Sequence, residues 1–174
     1  MLRLCTSLLF FVVANFAQAQ QNFDLVENKP LMNNGLEIGY EIKNEQNKDE
    51  YSRYEITIFV SNKTGCHKFY VNDERPQNTF SRNYTEPDVV AVFDCLNATG
   101  KRLTSKGGQV KANPFLVPVS VSETKDGKTT SQTNKIQAGF ILRNGDSISN
   151  DFIVIVPLGE RPKFKCRLIN ASEL

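Results

Sequence analysis

Apolar and polar residues alternate with a period of two along most of this chain. Leu36, Ile38, Tyr40 and Ile42 are separated by Glu37, Gly39, Glu41 and Lys43, the pattern of a strand that buries one face. Tyr54, Ile56, Ile58 and Val60 repeat it against Arg53, Glu55, Thr57 and Ser61. A short strand from Lys68 to Val71 follows the Gly65 turn. Val89 to Leu96 is apolar on both faces, as a central strand requires. Phe115, Val117, Val119 and Val121 alternate again, and Asp126-Gly127 is a two-residue hairpin signal leading into Thr129–Ala138. Gly139–Leu142 then reaches Asn144-Gly145-Asp146, a second hairpin signal, and Ile148–Val156 comes next. Phe164, Cys166 and Leu168 alternate with Lys163, Lys165 and Arg167.

After the first nineteen residues no long window has a 3.6-residue period, so the expected class is all-β. Short strands with regular turn signals predict a single antiparallel β-sandwich, immunoglobulin-like, over residues 36–170. A lipocalin-like β-barrel is the alternative. That family usually carries Gly-x-Trp near its first strand, and this chain has no Trp. Residues 20–35 read as an N-terminal extension, poorly ordered at least to Pro30, and 171–174 as a C-terminal tail. The polar stretch Asn72–Asp88, with Pro76 and Pro87, reads as a loop.

The start of the chain changes this picture. Arg3, the apolar run from Leu8 to Phe16 and the small-residue signature Ala17-Gln18-Ala19 describe a secretory signal peptide over residues 1–19. The apolar run is too short for a membrane span, and no later stretch approaches one. The expected product is an exported protein: periplasmic, at the cell surface or extracellular. What remains has the length of one domain. A net charge of +2 argues against a strongly basic nucleic-acid binder and against a charged disordered tail.

Four cysteines are present, and Cys5 leaves with the leader. Cys66, Cys95 and Cys166 are an odd set. The favoured pairing is Cys66–Cys95, which would close the polar 72–88 loop, with Cys166 a buried thiol beside Phe164 and Leu168. A metal site from Cys66, His67, Cys95 and Cys166 lacks ligand spacing, since adjacent Cys66 and His67 point to opposite faces of an extended chain. No metal and no cofactor is expected.

Catalytic signatures are missing as well. There is no G-x-S-x-G elbow, no H-E-x-x-H and no phosphate loop, because Gly107-Gly108 lacks the spacing and the following Lys-Ser/Thr. A Cys/His hydrolase would depend on His67, the only histidine. The chain therefore reads as a non-enzyme, and no catalytic residue is assigned.

Contact features are more plentiful. Lys163, Lys165 and Arg167 form a basic stripe on the outward face of the last strand, suited to an anionic glycan or headgroup, or to guarding an exposed edge. Lys101, Arg102, Lys106 and Lys111 form a second basic cluster. Tyr51, Tyr54, Tyr70 and Tyr84 fall near strand ends or in the polar loop, where Tyr51 and Tyr84 are contact candidates. Asn62, Asn83, Asn97 and Asn170 open N-x-[ST] triplets.

The runs Tyr54-Glu-Ile-Thr-Ile-Phe-Val-Ser-Asn-Lys-Thr-Gly-Cys66, Phe93-Asp-Cys95 through Gly108, and Asn150-Asp-Phe-Ile-Val-Ile-Val-Pro through Pro162 resemble uncharacterised small exported β-sandwich proteins of Bacteroidota. Some of these carry an ABC-transporter permease label, which this sequence contradicts because it has no spanning segment. The resemblance implies an envelope compartment and no mechanism. The expected function is a secreted or periplasmic, non-catalytic binding or accessory module of the cell envelope, with an envelope protein or glycan as partner. A barrel-type carrier of small ligands and a hydrolase are the alternatives.

Overall fold

The computed structural model describes residues 22–70, 88–97, 99–103 and 108–169, and the backbone of 172–173. Its strands are β1 (Asn22–Leu25), β2 (Leu31–Asn33), β3 (Leu36–Asn47), β4 (Tyr51–Asn62), β5 (Lys68–Tyr70), β6 (Val89–Leu96), β7 (Gly108–Lys111), β8 (Asn113–Lys125), β9 (Lys128–Leu142), β10 (Ser147–Pro157), β11 (Lys163–Leu168) and β12 (Ser172–Glu173). They form three antiparallel sheets, ordered β1-β11-β6-β7, β10-β4-β3-β2 and β12-β5-β9-β8. The protein is thus an all-β sandwich and not a closed barrel.

The core follows from the alternation. Ile38 and Tyr40 on β3, Ile56, Ile58 and Val60 on β4, and Val154 and Val156 on β10 turn to one side of their sheet and are buried. They meet Phe93 and Cys95 on β6, Val110 on β7, and Phe164 and Cys166 on β11. Aromatic rings join the two layers: Phe164 lies 4.6 Å from Tyr40 and 5.7 Å, edge to face, from Phe152. Val89–Phe93 are buried on both faces, as the continuous apolar run predicts for a strand flanked by β11 and β7. Gly108 opens β7 against Ile58 and Phe152 of the facing sheet. A Cβ there would fall 2.7 Å from Ile58 and 2.9 Å from Phe152, so only glycine fits without displacing them.

Several expectations need correction. Residues 20–35, read as an N-terminal extension poorly ordered at least to Pro30, supply two strands, Asn22–Leu25 and Leu31–Asn33. Phe23 and Leu25 pair with Cys166 and Phe164 across β1 and β11, and Leu31–Asn33 pair with Leu36–Ile38. Both segments are too short to register as a period; β1 is ordered by pairing with the distant β11, and β2 by the two-residue turn Asn34-Gly35 that folds it onto β3. The C-terminal tail also joins a sheet, with Ser172 and Glu173 opposite Phe69 and Lys68. The expected loop over Asn72–Asp88 lies outside the described residues except for Asp88.

The Cys66–Cys95 disulfide is not formed; Cys66, Cys95 and Cys166 are all free. Cys66 is exposed in the bend after β4, whereas Cys95 faces inward on β6, opposite Phe164. Burial pushes the thiols of both Cys95 and Cys166 up to about 12, with Asp94 adding to the effect at Cys166. Native protein at neutral pH should therefore alkylate at Cys66 alone, with Cys95 and Cys166 reacting only after unfolding. If Cys66 reacted only after reduction, the disulfide would be restored. Because these folded pKa values exceed the ordinary 9.0, the stability they confer is intact below that pH. It is lost as pH climbs toward 12.

Candidate functional site

The sequence-predicted contact residues do not come together. Lys163 and Lys165 are exposed and Arg167 is half-buried on β11, but β11 is an interior strand between β1 and β6. The stripe is therefore not edge protection. Its charge is also partly answered, because Lys165 Nζ is 3.4 Å from Asp24, while Arg102 of the second cluster is 2.6 Å from Asp94. In the second cluster Lys111 lies 3.0 Å from Asp88. Lys106 and Tyr84 lie outside the described residues. Tyr51 opens β4 in the other sheet, with Lys48 Nζ 5.9 Å from its ring centre. It faces outward opposite Pro157, next to the exposed Ile153 and Ile155 of edge strand β10.

Chemistry is no better assembled. Among the described residues no three His, Cys, Asp or Glu side chains converge as a metal site. His67 Nδ1 accepts the backbone N–H of Asn144 at 3.1 Å, which is a turn contact. At one end of the sandwich, Arg161 binds Glu27 through two bonds of 2.8 and 2.9 Å. Tyr54 Oη donates within reach of both Glu45 and the Glu160 carbonyl, at 3.2 and 3.1 Å. These groups tie the 157–162 segment to the β1–β2 turn and to β3. Asn62, a sequon residue, spends both side-chain amide atoms inside the fold, so it offers no accessible acceptor.

The feature that sequence reasoning missed is an arm. β8 and β9 continue past the sandwich as a two-stranded ribbon, in register from Leu116↔Gln137 to Lys125↔Lys128. Ten residues per strand make it about 34 Å long. Every residue from Ser120 to Ala138 is exposed. At its base Phe115 packs edge to face on Phe69 at 5.0 Å, and a bulge opposite Phe115/Leu116 accommodates the extra residue Ala138. At its tip Asp126 and Gly127 have φ of 52° and 73°, the two left-handed positions of a type I′ turn. The Asp-Gly signal thus sets the register of the whole ribbon.

Antiparallel partners share a face, so the arm has two different ones. Val117, Val119 and Val121 lie on one side with Ile136, which is opposite Val117. Val121 and Ile136 are each 53% exposed. The other face carries Ser120, Ser122, Thr124, Thr129, Ser131 and Thr133, with Ser120 and Thr133 hydroxyls 3.1 Å apart and those of Thr124 and Thr129 3.0 Å apart. The valine alternation, which in a sandwich strand would be buried in the core, here leaves Val117 and Val119 half-buried and Val121 exposed. An isolated two-stranded ribbon is marginal in water. No family model, curated protein or solved structure matches this chain.

Proposed function

We propose that this chain is a secreted or periplasmic, non-catalytic binding or accessory module of the cell envelope, an immunoglobulin-like sandwich that presents the β8–β9 arm to a partner protein or glycan. The observation that carries this reading is the valine stripe of Val117, Val119, Val121 and Ile136, set on a ribbon outside the core, with Val117 and Val119 half-buried and Val121 and Ile136 exposed. Burying it against a partner would remove apolar area from water at about 25 cal/mol per Å². The outward Tyr51, Ile153 and Ile155 offer a second, smaller apolar surface, and Lys163, Lys165 and Arg167 a polar one.

Cross-linking in source cells, followed by purification of the chain and mass spectrometry, tests the reading. The wild type should retain one envelope protein or glycan, and Val119→Lys/Val121→Lys should lose it. Equal retention by both would overturn the role of the arm. The same double variant should change unfolding free energy by no more than about 0.5 kcal/mol, because neither valine is in the core. A large loss of stability in thermal melts would instead mean that the stripe packs against the body of the protein.

A further inference from the structure

The two edges of the arm are not equivalent. In a type I′ hairpin the residues flanking the turn, here Lys125 and Lys128, form a hydrogen-bonded pair, and bonded and non-bonded pairs then alternate. Following the register, Val117, Val119, Val121 and Glu123 point their backbone groups inward to Ile136, Asn134, Gln132 and Thr130. The residues between them point outward. On β8 these are Leu116, Pro118, Ser120, Ser122 and Thr124; on β9 they are Thr129, Ser131, Thr133, Lys135 and Gln137. Pro118 therefore costs the ribbon no internal bond, yet it removes a donor from the middle of the β8 edge and closes that edge to pairing. The β9 edge has five successive outward positions without proline. Among the described residues β5 covers only Phe140–Leu142 of it.

We infer that the β9 edge, Thr129–Gln137, is a strand-addition site for the same strand of a second copy of this chain. The inference rests on the arm being the contact element, as proposed above. Strand addition to a foreign segment draws its specificity from apolar pockets at alternate positions. The outward positions of β9 instead carry hydroxyl, amide and one ammonium side chain, matched best by a strand of the same kind. Antiparallel pairing about a two-fold axis at Thr133 sets Thr133 against its own copy, Ser131 against Lys135 and Thr129 against Gln137. Lys128 then lies opposite Ala138. No lysine opposes a lysine, whereas parallel, in-register pairing would set Lys135 beside Lys135, which is unfavourable. Five outward pairs exchanging two bonds each give about ten main-chain hydrogen bonds. The valine stripes of both copies fall on the same side of the resulting four-stranded sheet, leaving them available to the envelope partner.

Ser120 and Thr133 are direct cross-strand partners, one on each edge, and so provide a matched test. Sedimentation of the exported chain over a concentration series should show a monomer–dimer equilibrium. Amide exchange should slow at 129–137 as dimer forms. Thr133→Pro should weaken the dimer by about a hundredfold, through two lost bonds and two ring clashes at the axis. Ser120→Pro should leave it unchanged. Thr133→Cys should form a 133–133 cross-link on oxidation, the expected Cα separation of about 5.5 Å being within disulfide reach. Thr129→Cys should not form a 129–129 cross-link. A wild type that is monomeric at all concentrations, equal effects of the two prolines, or no 133–133 cross-link would each overturn the inference. A monomeric chain that still loses its envelope partner on Val119→Lys/Val121→Lys would remove the dimer and leave the function standing.

Discussion

Truncation of Phe164 to alanine should lower the unfolding free energy by about 3–5 kcal/mol, a large share of the total stability of a domain this size. Phe164 is 1% exposed. It sits on β11 between Leu25 of β1 and Cys95 of β6, and its ring meets Tyr40 and Phe152 from the facing sheet. One side chain therefore joins three strands of one layer to two of the other. Its removal leaves a cavity lined by residues that the pleat holds in place, so little of the loss is recovered by collapse. Phe164→Leu, which keeps much of the volume, should cost about 1 kcal/mol. Urea unfolding measures both. A loss below about 1 kcal/mol for the alanine variant would show that the layers are not joined at this residue.

The second large effect is expected at Asn62, which is fully buried. Its Nδ2 donates to the carbonyls of Cys66 and Leu142, both at 2.9 Å. Its Oδ1 accepts from the Thr64 N–H at 3.0 Å and the Thr64 hydroxyl at 2.7 Å. Its own backbone bonds the Asp146 carbonyl and the Gly145 N–H. Asn62 thus fastens the end of β4 to the bend before β5 and to the end of β9, where the third sheet joins the sandwich. Asn62→Ala leaves the buried Leu142 carbonyl and the part-buried Thr64 N–H without this partner and should cost about 3 kcal/mol. Asn62→Asp should cost more at neutral pH, because it faces two carbonyl oxygens with a negative charge. Burial raises the folded-state pKa of such a carboxyl above its unfolded value. The aspartate variant should therefore be most stable in acid and lose stability as pH rises through that folded pKa. Denaturation of both variants across pH checks this order; an aspartate variant as stable as wild type at neutral pH would refute the hub.

Strand identity was legible wherever alternation ran for several residues between turn signals. The alternations at Leu36–Ile42 and Tyr54–Val60, the apolar run Val89–Leu96 and the hairpin at Asp126-Gly127 all stand where the pattern places them, whereas Asn144-Gly145, read as a second hairpin, is a turn that carries the chain from β9 in one sheet to β10 in another. Segments of two to four residues were not legible. β1, β2, β7 and β12 carry too few alternations to show a period; β1 and β12 are ordered by partners far away in sequence, β2 and β7 by the neighbouring strands β3 and β6. The contact surface was less legible still. Tyr51 and the Lys163–Arg167 stripe were chosen by residue type, and the fold sends them to different sheets.

The valines of β8 show where the boundary lies. Their alternation dictates that Val117, Val119 and Val121 share a face, and Asp126-Gly127 dictates the register that sets Ile136 beside Val117. Both are local properties of backbone geometry, so the sequence by itself determined them. It also determined that Pro118 blocks one edge, since proline lacks its donor in any context. Whether the shared face meets a core or solvent depends on where the other two sheets end. That is decided only when Phe164, Tyr40 and Phe152 close the sandwich and leave the ribbon beyond it, because burial is a property of neighbours and not of the strand.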